Sequence, residues 1–189
     1  MNENTVLILN GSPRKLGNSA ALAEQIAAGA RSVGAQVEAH FLQDITIQPC
    51  NACDACQETP ENGCIIEDDM QMLYPKLRNA RVIVVATPIY WFTMSAQAKL
   101  CIDRWYALEG TNGSALAGKR FAFALAYGDT DPYTSGAINA IRTFQDMCRY
   151  LKADLVGFVY GSAMDAGEIK KNEELIQNAF RLGQKLAQA

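Results

Sequence analysis

Two apolar patterns alternate along this chain. Short continuous runs recur at Val6-Leu7-Ile8-Leu9, Val82-Ile83-Val84-Val85-Ala86 and Phe121 to Ala126, and Leu155 to Tyr160 is a further strand candidate. Runs of this length suit strands buried on both faces of a parallel sheet. Gln36 to Phe41 differs: Val37, Ala39 and Phe41 alternate with Gln36, Glu38 and His40. That alternation predicts a strand with one wetter face, at a sheet edge. Helical spacing fills the intervals. Leu22, Ala23, Ile26, Ala27, Ala30 and Val33 share one helix face. So do Ala98, Cys101, Ile102, Trp105 and Leu108, then Ile138, Ile141, Phe144, Cys148 and Leu151, then Leu175, Ile176, Ala179, Gly183 and Leu186. A weaker helix is expected from Asp68 to Asn79, disturbed by Pro75.

Five strands alternating with five helices imply an α/β fold: a doubly wound parallel sheet with right-handed crossovers and helices on both faces. Five strands match the order 2-1-3-4-5, in which strand 2 is an edge, as its alternation asks. A ligand is then expected beyond the carboxyl ends of strands 1 and 3, where the winding reverses. The length, 189 residues, suits one domain over 1–189.

Composition narrows the function classes. Hydrophobic residues make up 49% and charged residues 20%, with a formal net charge of −3. A nucleic-acid binder would carry a basic stripe, and none is expected here. No run approaches the roughly 20 apolar residues of a membrane span. Met1-Asn2-Glu3-Asn4 lacks the basic start of a signal peptide, so the expected location is cytoplasmic, with no membrane partner.

The loop after strand 1 reads Asn10-Gly11-Ser12-Pro13-Arg14-Lys15-Leu16-Gly17-Asn18-Ser19 and runs into a helix. Small residues let backbone wrap an anion, and the helix start adds unpaired N–H groups and a positive dipole end. Ser12, Asn18 and Ser19 offer side-chain donors and Arg14 a positive fork, so the segment reads as a phosphate cradle. A Walker A loop needs four residues between its glycines, whereas five separate Gly11 from Gly17, and the dinucleotide Gly-x-Gly-x-x-Gly pattern is absent. The plainer alternative is a strand-to-helix turn capped by Asn18 or Ser19.

Gly11-Ser12-Pro13-Arg14-x-x-Gly17-Asn18-Ser19 resembles the FMN-phosphate loop of the NAD(P)H-dependent FMN reductase family, within the flavodoxin-like superfamily. The resemblance extends through Thr87 to Arg104 and follows element order over most of the chain. It implies a flavodoxin-like fold, bound FMN, NAD(P)H as co-substrate and a homodimer or homotetramer. It places Ser12, Arg14, Gly17, Asn18 and Ser19 at the phosphate. Pro88, Ile89, Tyr90 and Trp91, after strand 3, match the segment that lines the flavin; a purely structural aromatic cluster is the alternative. Lys99, Asp103 and Arg104 also match the family and read as structural or interfacial, and Trp105 and Tyr106 as packing. Tyr127 and Gly128, after strand 4, lie on the same rim, where a plain turn is an equal alternative.

Four of the six cysteines fall in one segment, as Cys50-x-x-Cys53-x-x-Cys56-x(7)-Cys64. Two-residue spacings let thiolates converge on one centre, as in ferredoxin-type runs. The pattern resembles the compact cysteine motif of iron–sulfur flavoproteins, close relatives of the FMN reductases. That resemblance implies a [4Fe–4S] cluster on an insertion at about 44–66. Zinc, or thiols with no metal, fit the same residues. Cys101 and Cys148 lie on apolar helix faces and read as inert core.

The expected function is an FMN-dependent oxidoreductase passing electrons from a reduced nicotinamide to a second acceptor. The alternative is an electron carrier using FMN and a [4Fe–4S] cluster. The flavin carries the chemistry, so no acid or base is demanded of the protein, and the lone histidine, His40, needs no role. Cysteine-based hydrolysis is disfavoured because no Cys-x(5)-Arg loop exists.

Overall fold

A parallel sheet organises the computed structural model, which describes residues 5–111 and 113–188. In chain order the elements are β1 (Thr5–Asn10), α1 (Asn18–Ser32), β2 (Gln36–Phe41), α2 (Ala55–Glu58), α3 (Met70–Asn79), β3 (Val82–Tyr90), β4 (Thr93–Met94), α4 (Ala96–Asp103), β5 (Arg120–Tyr127), α5 (Ala137–Leu151), β6 (Asp154–Ser162) and α6 (Glu173–Ala187). The strands pair in the order β2-β1-β3-β5-β6, all parallel, and β4 folds back antiparallel on β3. With β4 set aside, this is the expected 2-1-3-4-5 order. The chain has a flavodoxin-like fold.

The alternation of side chains along each strand divides the core in two. Leu7, Leu9, Ile83, Val85, Phe121, Phe123 and Leu125 face α3, α4 and α5. Aromatic rings fill that layer, with Phe123 stacked on Phe144 at 4.1 Å between centroids. Val6, Ile8, Val82, Val84, Ala122 and Ala124 face α1 and α6. Those two helices meet through glycines. A β-carbon at Gly29 would stand 2.0 Å from the Phe180 carbonyl oxygen, and one at Gly183 would stand 2.0 Å from that of Ile26. Glycine is required at both positions by this contact.

Three expected boundaries move. β3 continues past Ala86 to Tyr90, because Thr87 and Pro88 pair with Leu125 and Ala126 and because Ile89 and Tyr90 pair with β4. The segment expected as a loop after strand 3 is therefore a strand end and hairpin. The helix expected through Leu108 is α-helical only to Asp103, and Arg104–Leu108 tightens into a 3-10 turn that keeps Trp105 and Leu108 buried. The helix expected from Asp68 starts at Met70, whose N–H donates to the Asp68 carboxylate at 3.0 Å. Asp69 accepts from Thr46 N–H at 2.7 Å and Asp68 accepts from Gln48 N–H at 2.8 Å. These bonds pin the near end of the cysteine-rich segment to the body of the fold. Among the described residues, no helix is long and apolar enough to cross a membrane.

Candidate functional site

The carboxyl ends of β1, β3, β5 and β6 converge on one cavity. The loop after β1 is fastened first. Gly11 N–H donates to the Ala86 carbonyl at 2.7 Å, and Ser95 Oγ donates to the Gly11 carbonyl at 2.6 Å. Ser95 also caps α4, and its own N–H donates to Thr87 Oγ1 at 2.9 Å. Strand ends β1 and β3 are thus tied into one rim.

Further along, the loop closes on itself. Ser12 Oγ stands 3.0 Å from both the backbone N–H and the carbonyl of Arg14, and Gly17 N–H donates to that same carbonyl at 2.9 Å. A β-carbon at Gly17 would stand 2.9 Å from Arg14 O and from Ser12 Oγ, so the tight return needs glycine there. Gly17 is extended, with φ −72° and ψ 166°, and α1 starts at the next residue. The first-turn N–H groups of an α-helix have no carbonyl partner within it. Beside them, Ser19 Oγ is buried without a hydrogen-bond partner. A buried hydroxyl left unpaired is costly, and this one is able to hydrogen-bond a polar group that enters the loop. Arg14 is exposed at the mouth.

The cavity measures about 230 Å³ and is lined by Ser12, Arg14, Gly17, Asn18 and Ser19 from one side and by Pro88, Ile89, Tyr90, Tyr127 and Gly128 from the other. Ten of the eleven expected cofactor residues therefore line one hollow. The eleventh, Trp91, lines an adjoining hollow of about 550 Å³ that shares Ile89, Tyr90, Tyr127 and Gly128. A larger groove, about 630 Å³, lies near Thr5 and Gln36 at the opposite end of the strands, which is the wrong end of a parallel sheet for a ligand.

The aromatic rim is a hairpin tip. Tyr90 pairs with Thr93, leaving Trp91 and Phe92 as a two-residue turn with φ of 48° and 65°. Turns of this kind favour Asn-Gly, and bulky residues at positive φ are true outliers. The tip is exposed, Trp91 at 91% and Phe92 at 55%, and α5 braces it through Asn139 Nδ2, which donates to the Phe92 carbonyl at 3.1 Å. Tyr127 lies inward, and burial pushes its phenol pKa up.

Sequence reasoning missed one wall. Ala163, Met164 and Ala166, after β6, complete the cavity. The available signal was their place on the same rim of strand ends. Asn18 also departs from expectation. Its side chain is already engaged with that wall, donating to the carbonyls of Ala163 and Asp165 and accepting from Ile169 N–H.

The cysteine-rich segment behaves differently. Cys50 and Cys53 are exposed, Cys56 is buried in the ring-filled layer and Cys64 is half-buried. Among the described residues, no three Cys, His, Asp or Glu side chains stand close enough to hold a metal ion. The expected four-thiolate set, Cys50, Cys53, Cys56 and Cys64, is not drawn together among the described residues. Arg104 instead organises the segment. Its Nη1 donates to Asp68 at 2.5 Å and to the Gln48 carbonyl at 2.9 Å, and its Nη2 approaches Cys64 Sγ at 3.3 Å. Both side chains of the Arg104–Asp68 pair are 1% exposed. Burial alone would raise the Cys64 thiol, but hydrogen bonds involving Ile66, Tyr74 and Arg104 more than offset it, and its pKa is lowered. Cys101 and Cys148 are buried core, as expected, and burial pushes both thiols up to about 12. Lys99 and Asp103 pair with each other on the surface at 2.5 Å. Trp105 is buried against Phe121, whereas Tyr106 is exposed.

The chain is similar in sequence and in fold to known proteins. The sequence model of a family described as NADPH-dependent FMN reductase matches residues 4–165. A Bacillus subtilis protein named as an NAD(P)H-dependent FMN-containing oxidoreductase, YwqN, is 27% identical over 188 residues, 94% of this chain and 95% of that one. An iron–sulfur flavoprotein of Archaeoglobus fulgidus is 34% identical over 136 residues, 72% of this chain and 68% of that one. Among solved structures, an NAD(P)H:quinone oxidoreductase of Methanothermobacter marburgensis superposes with a TM-score of 0.75 at 18% identity, covering 98% of each chain.

Proposed function

Because the chain belongs to the NADPH-dependent FMN reductase family, we propose that it is an oxidoreductase that binds FMN in the cavity described above and passes electrons from NAD(P)H to a second acceptor. One observation carries the reading: a glycine-closed loop presents helix-start N–H groups and an unpaired buried hydroxyl, Ser19 Oγ, beside a slot lined by Pro88, Ile89, Tyr90, Tyr127 and Gly128. FMN supplies hydride acceptance and electron transfer when bound.

The chain's residues bind and orient. The amide groups at the start of α1, Ser19 Oγ and the Arg14 guanidinium hold the phosphate. Pro88, Ile89 and Tyr90 on one side and Tyr127 and Gly128 on the other flank the ring system. Trp91 and Phe92 line the adjoining hollow, where nicotinamide and acceptor dock in turn. The apolar tip left exposed supports a homodimer or homotetramer, in which a neighbouring subunit covers it. Residues 1–189 form one FMN-binding domain with an insertion at about 44–66, working in the cytoplasm.

The test is the absorption spectrum of the purified protein, followed by NADH and NADPH oxidation with a quinone or free flavin as acceptor. Bound FMN and nicotinamide oxidation are expected. Protein that neither retains nor takes up FMN would overturn the reading. The alternative, an electron carrier with FMN and a [4Fe–4S] cluster, is favoured by the names of the archaeal relatives, and iron and sulfide analysis of anaerobically purified protein tests it.

A further inference from the structure

Asn18 sits where a phosphate donor was expected, and its side chain points elsewhere. Nδ2 donates to the Asp165 carbonyl at 2.9 Å and to the Ala163 carbonyl at 3.3 Å, while Oδ1 accepts from Ile169 N–H at 3.2 Å. Two carbonyls and one N–H leave a single orientation for an amide, because only its nitrogen donates and only its oxygen accepts. All three bonds cross to one segment, residues 163–169, about 145 to 151 positions away in the chain.

That segment forms a cover. Ala163, Met164 and Ala166 line the cavity, and Met164 packs over the neighbouring strand end, so that a β-carbon at Gly128 would stand 2.7 Å from its sulfur. Met164 is nonetheless 71% exposed, so packing alone holds it weakly. Polar braces hold it instead. Ala163 N–H donates to the Tyr127 carbonyl at 2.8 Å at one end, and the buried Ile169 anchors the other. Between them, Glu168 Oε2 accepts from Met164 N–H at 2.8 Å and Asp165 N–H at 3.0 Å. Glu168 does not line the cavity.

We propose that Asn18 is a positioning residue: it fastens the 163–169 cover over the cofactor cavity from the first turn of α1, and does not itself ligate the phosphate. The same turn that presents amide groups to the phosphate thereby holds the cover, and Met164 becomes the residue that closes on the flavin. The inference rests on FMN binding in this cavity.

The experiment compares FMN with riboflavin, which lacks the phosphate, in wild type, Asn18→Ala, Glu168→Ala and Arg14→Ala, alongside hydrogen exchange of the amides at 164–169 in the flavin-free proteins. A cover acts on both flavins. Asn18→Ala and Glu168→Ala should each weaken FMN and riboflavin alike, by about tenfold, and speed exchange at Asp165 and Ile169. Arg14→Ala should weaken FMN alone. Loss of FMN affinity with riboflavin binding unchanged in Asn18→Ala would make Asn18 a phosphate ligand and overturn the inference. Unaltered exchange at 164–169 in Asn18→Ala would overturn it as well, without need of either flavin. Wild-type protein that binds no flavin would instead overturn the proposed function, and the inference with it.

Discussion

A β-carbon at Gly136 would stand 2.5 Å from Phe92 Cβ and 2.6 Å from Phe92 Cα. The residue before α5 is therefore bare because the hairpin tip rests on it. Gly136 also holds φ at +75°, a second reason for glycine. The contact faces a backbone carbon, which cannot swing aside, and the tip itself is strained, at about 1–3 kcal/mol for each bulky residue at positive φ. Gly136→Ala is expected to lower the urea midpoint, with at least about 1 kcal/mol lost to the left-handed backbone alone. It should also displace Trp91, read as a changed tryptophan emission on flavin binding. A variant with wild-type midpoint and emission would show that α5 does not brace the tip.

Arg14 supplies the second prediction. Its guanidinium is exposed, and a charged hydrogen bond to phosphate is worth about 1.5–3 kcal/mol. Exposure lets salt screen the attraction, which places the expected loss in Arg14→Ala near the lower end, about 1.5 kcal/mol or tenfold in FMN affinity. Raising the salt concentration should narrow the gap between wild type and variant. Equal affinities at low salt would move the phosphate away from this loop.

How much of this was legible depended on where each residue's constraint lies. β2 was read to the residue, Gln36–Phe41, because an edge strand shows its alternation locally. The buried strands were found because both faces are apolar. β3 was cut short at Ala86 because Thr87-Pro88 looks like an ending, and only pairing with β5 and β4 carries the strand on. α4 was overextended because Trp105 and Leu108 keep the helical spacing after the backbone has tightened. The phosphate loop was legible in residue type, yet the use of each side chain was not. Asn18 and Ser19 are both small polar residues at a helix start, and a contact some 145 positions away decides that Asn18 is engaged and Ser19 is free. The cysteine spacing states what the thiols can reach, and not how the segment folds between Thr46 and Asp68.

The Arg104–Asp68 pair gives a prediction for stability and pH. Burial would raise the Asp68 carboxyl, but Arg104 and the backbone N–H groups of Gln48 and Met70 more than offset it, so its pKa is lowered. In the unfolded chain an Asp titrates near 3.9. Between the folded and unfolded values the unfolded chain binds more protons, so stability rises with pH there. The contribution is fully present above about pH 5 and is lost as pH falls through the folded value. Asp68→Asn leaves the Arg104 charge buried without its counter-ion and is expected to cost about 3–5 kcal/mol near neutral pH. Its urea midpoint should fall less steeply on acidification than that of wild type. Parallel acid profiles would show that Asp68 is not the group responsible.

The last prediction separates the thiols. Cys50 and Cys53 are exposed, whereas Cys101 and Cys148 are buried in the ring-filled layer with thiols pushed up to about 12. A thiol reacts through its thiolate, so both burial and a raised pKa silence the second pair. An aromatic disulfide reagent at pH 8 should therefore label Cys50 and Cys53 in the folded protein, and Cys101 and Cys148 only after denaturation. Cluster formation demands the opposite for the first pair. To bind iron, the segment from Cys50 to Cys64 must refold so that the four thiols converge, and all four then become unreactive until the iron is stripped. Mass mapping of the labelled cysteines in anaerobically purified protein, beside its iron and sulfide content, distinguishes the two states. Rapid labelling of Cys50 and Cys53 without iron supports the fold described here. Protection of both with iron and sulfide present establishes the refolded, cluster-bearing segment, and Cys53→Ser should then abolish iron binding while leaving FMN in place, because the phosphate loop shares no residue with the cysteines.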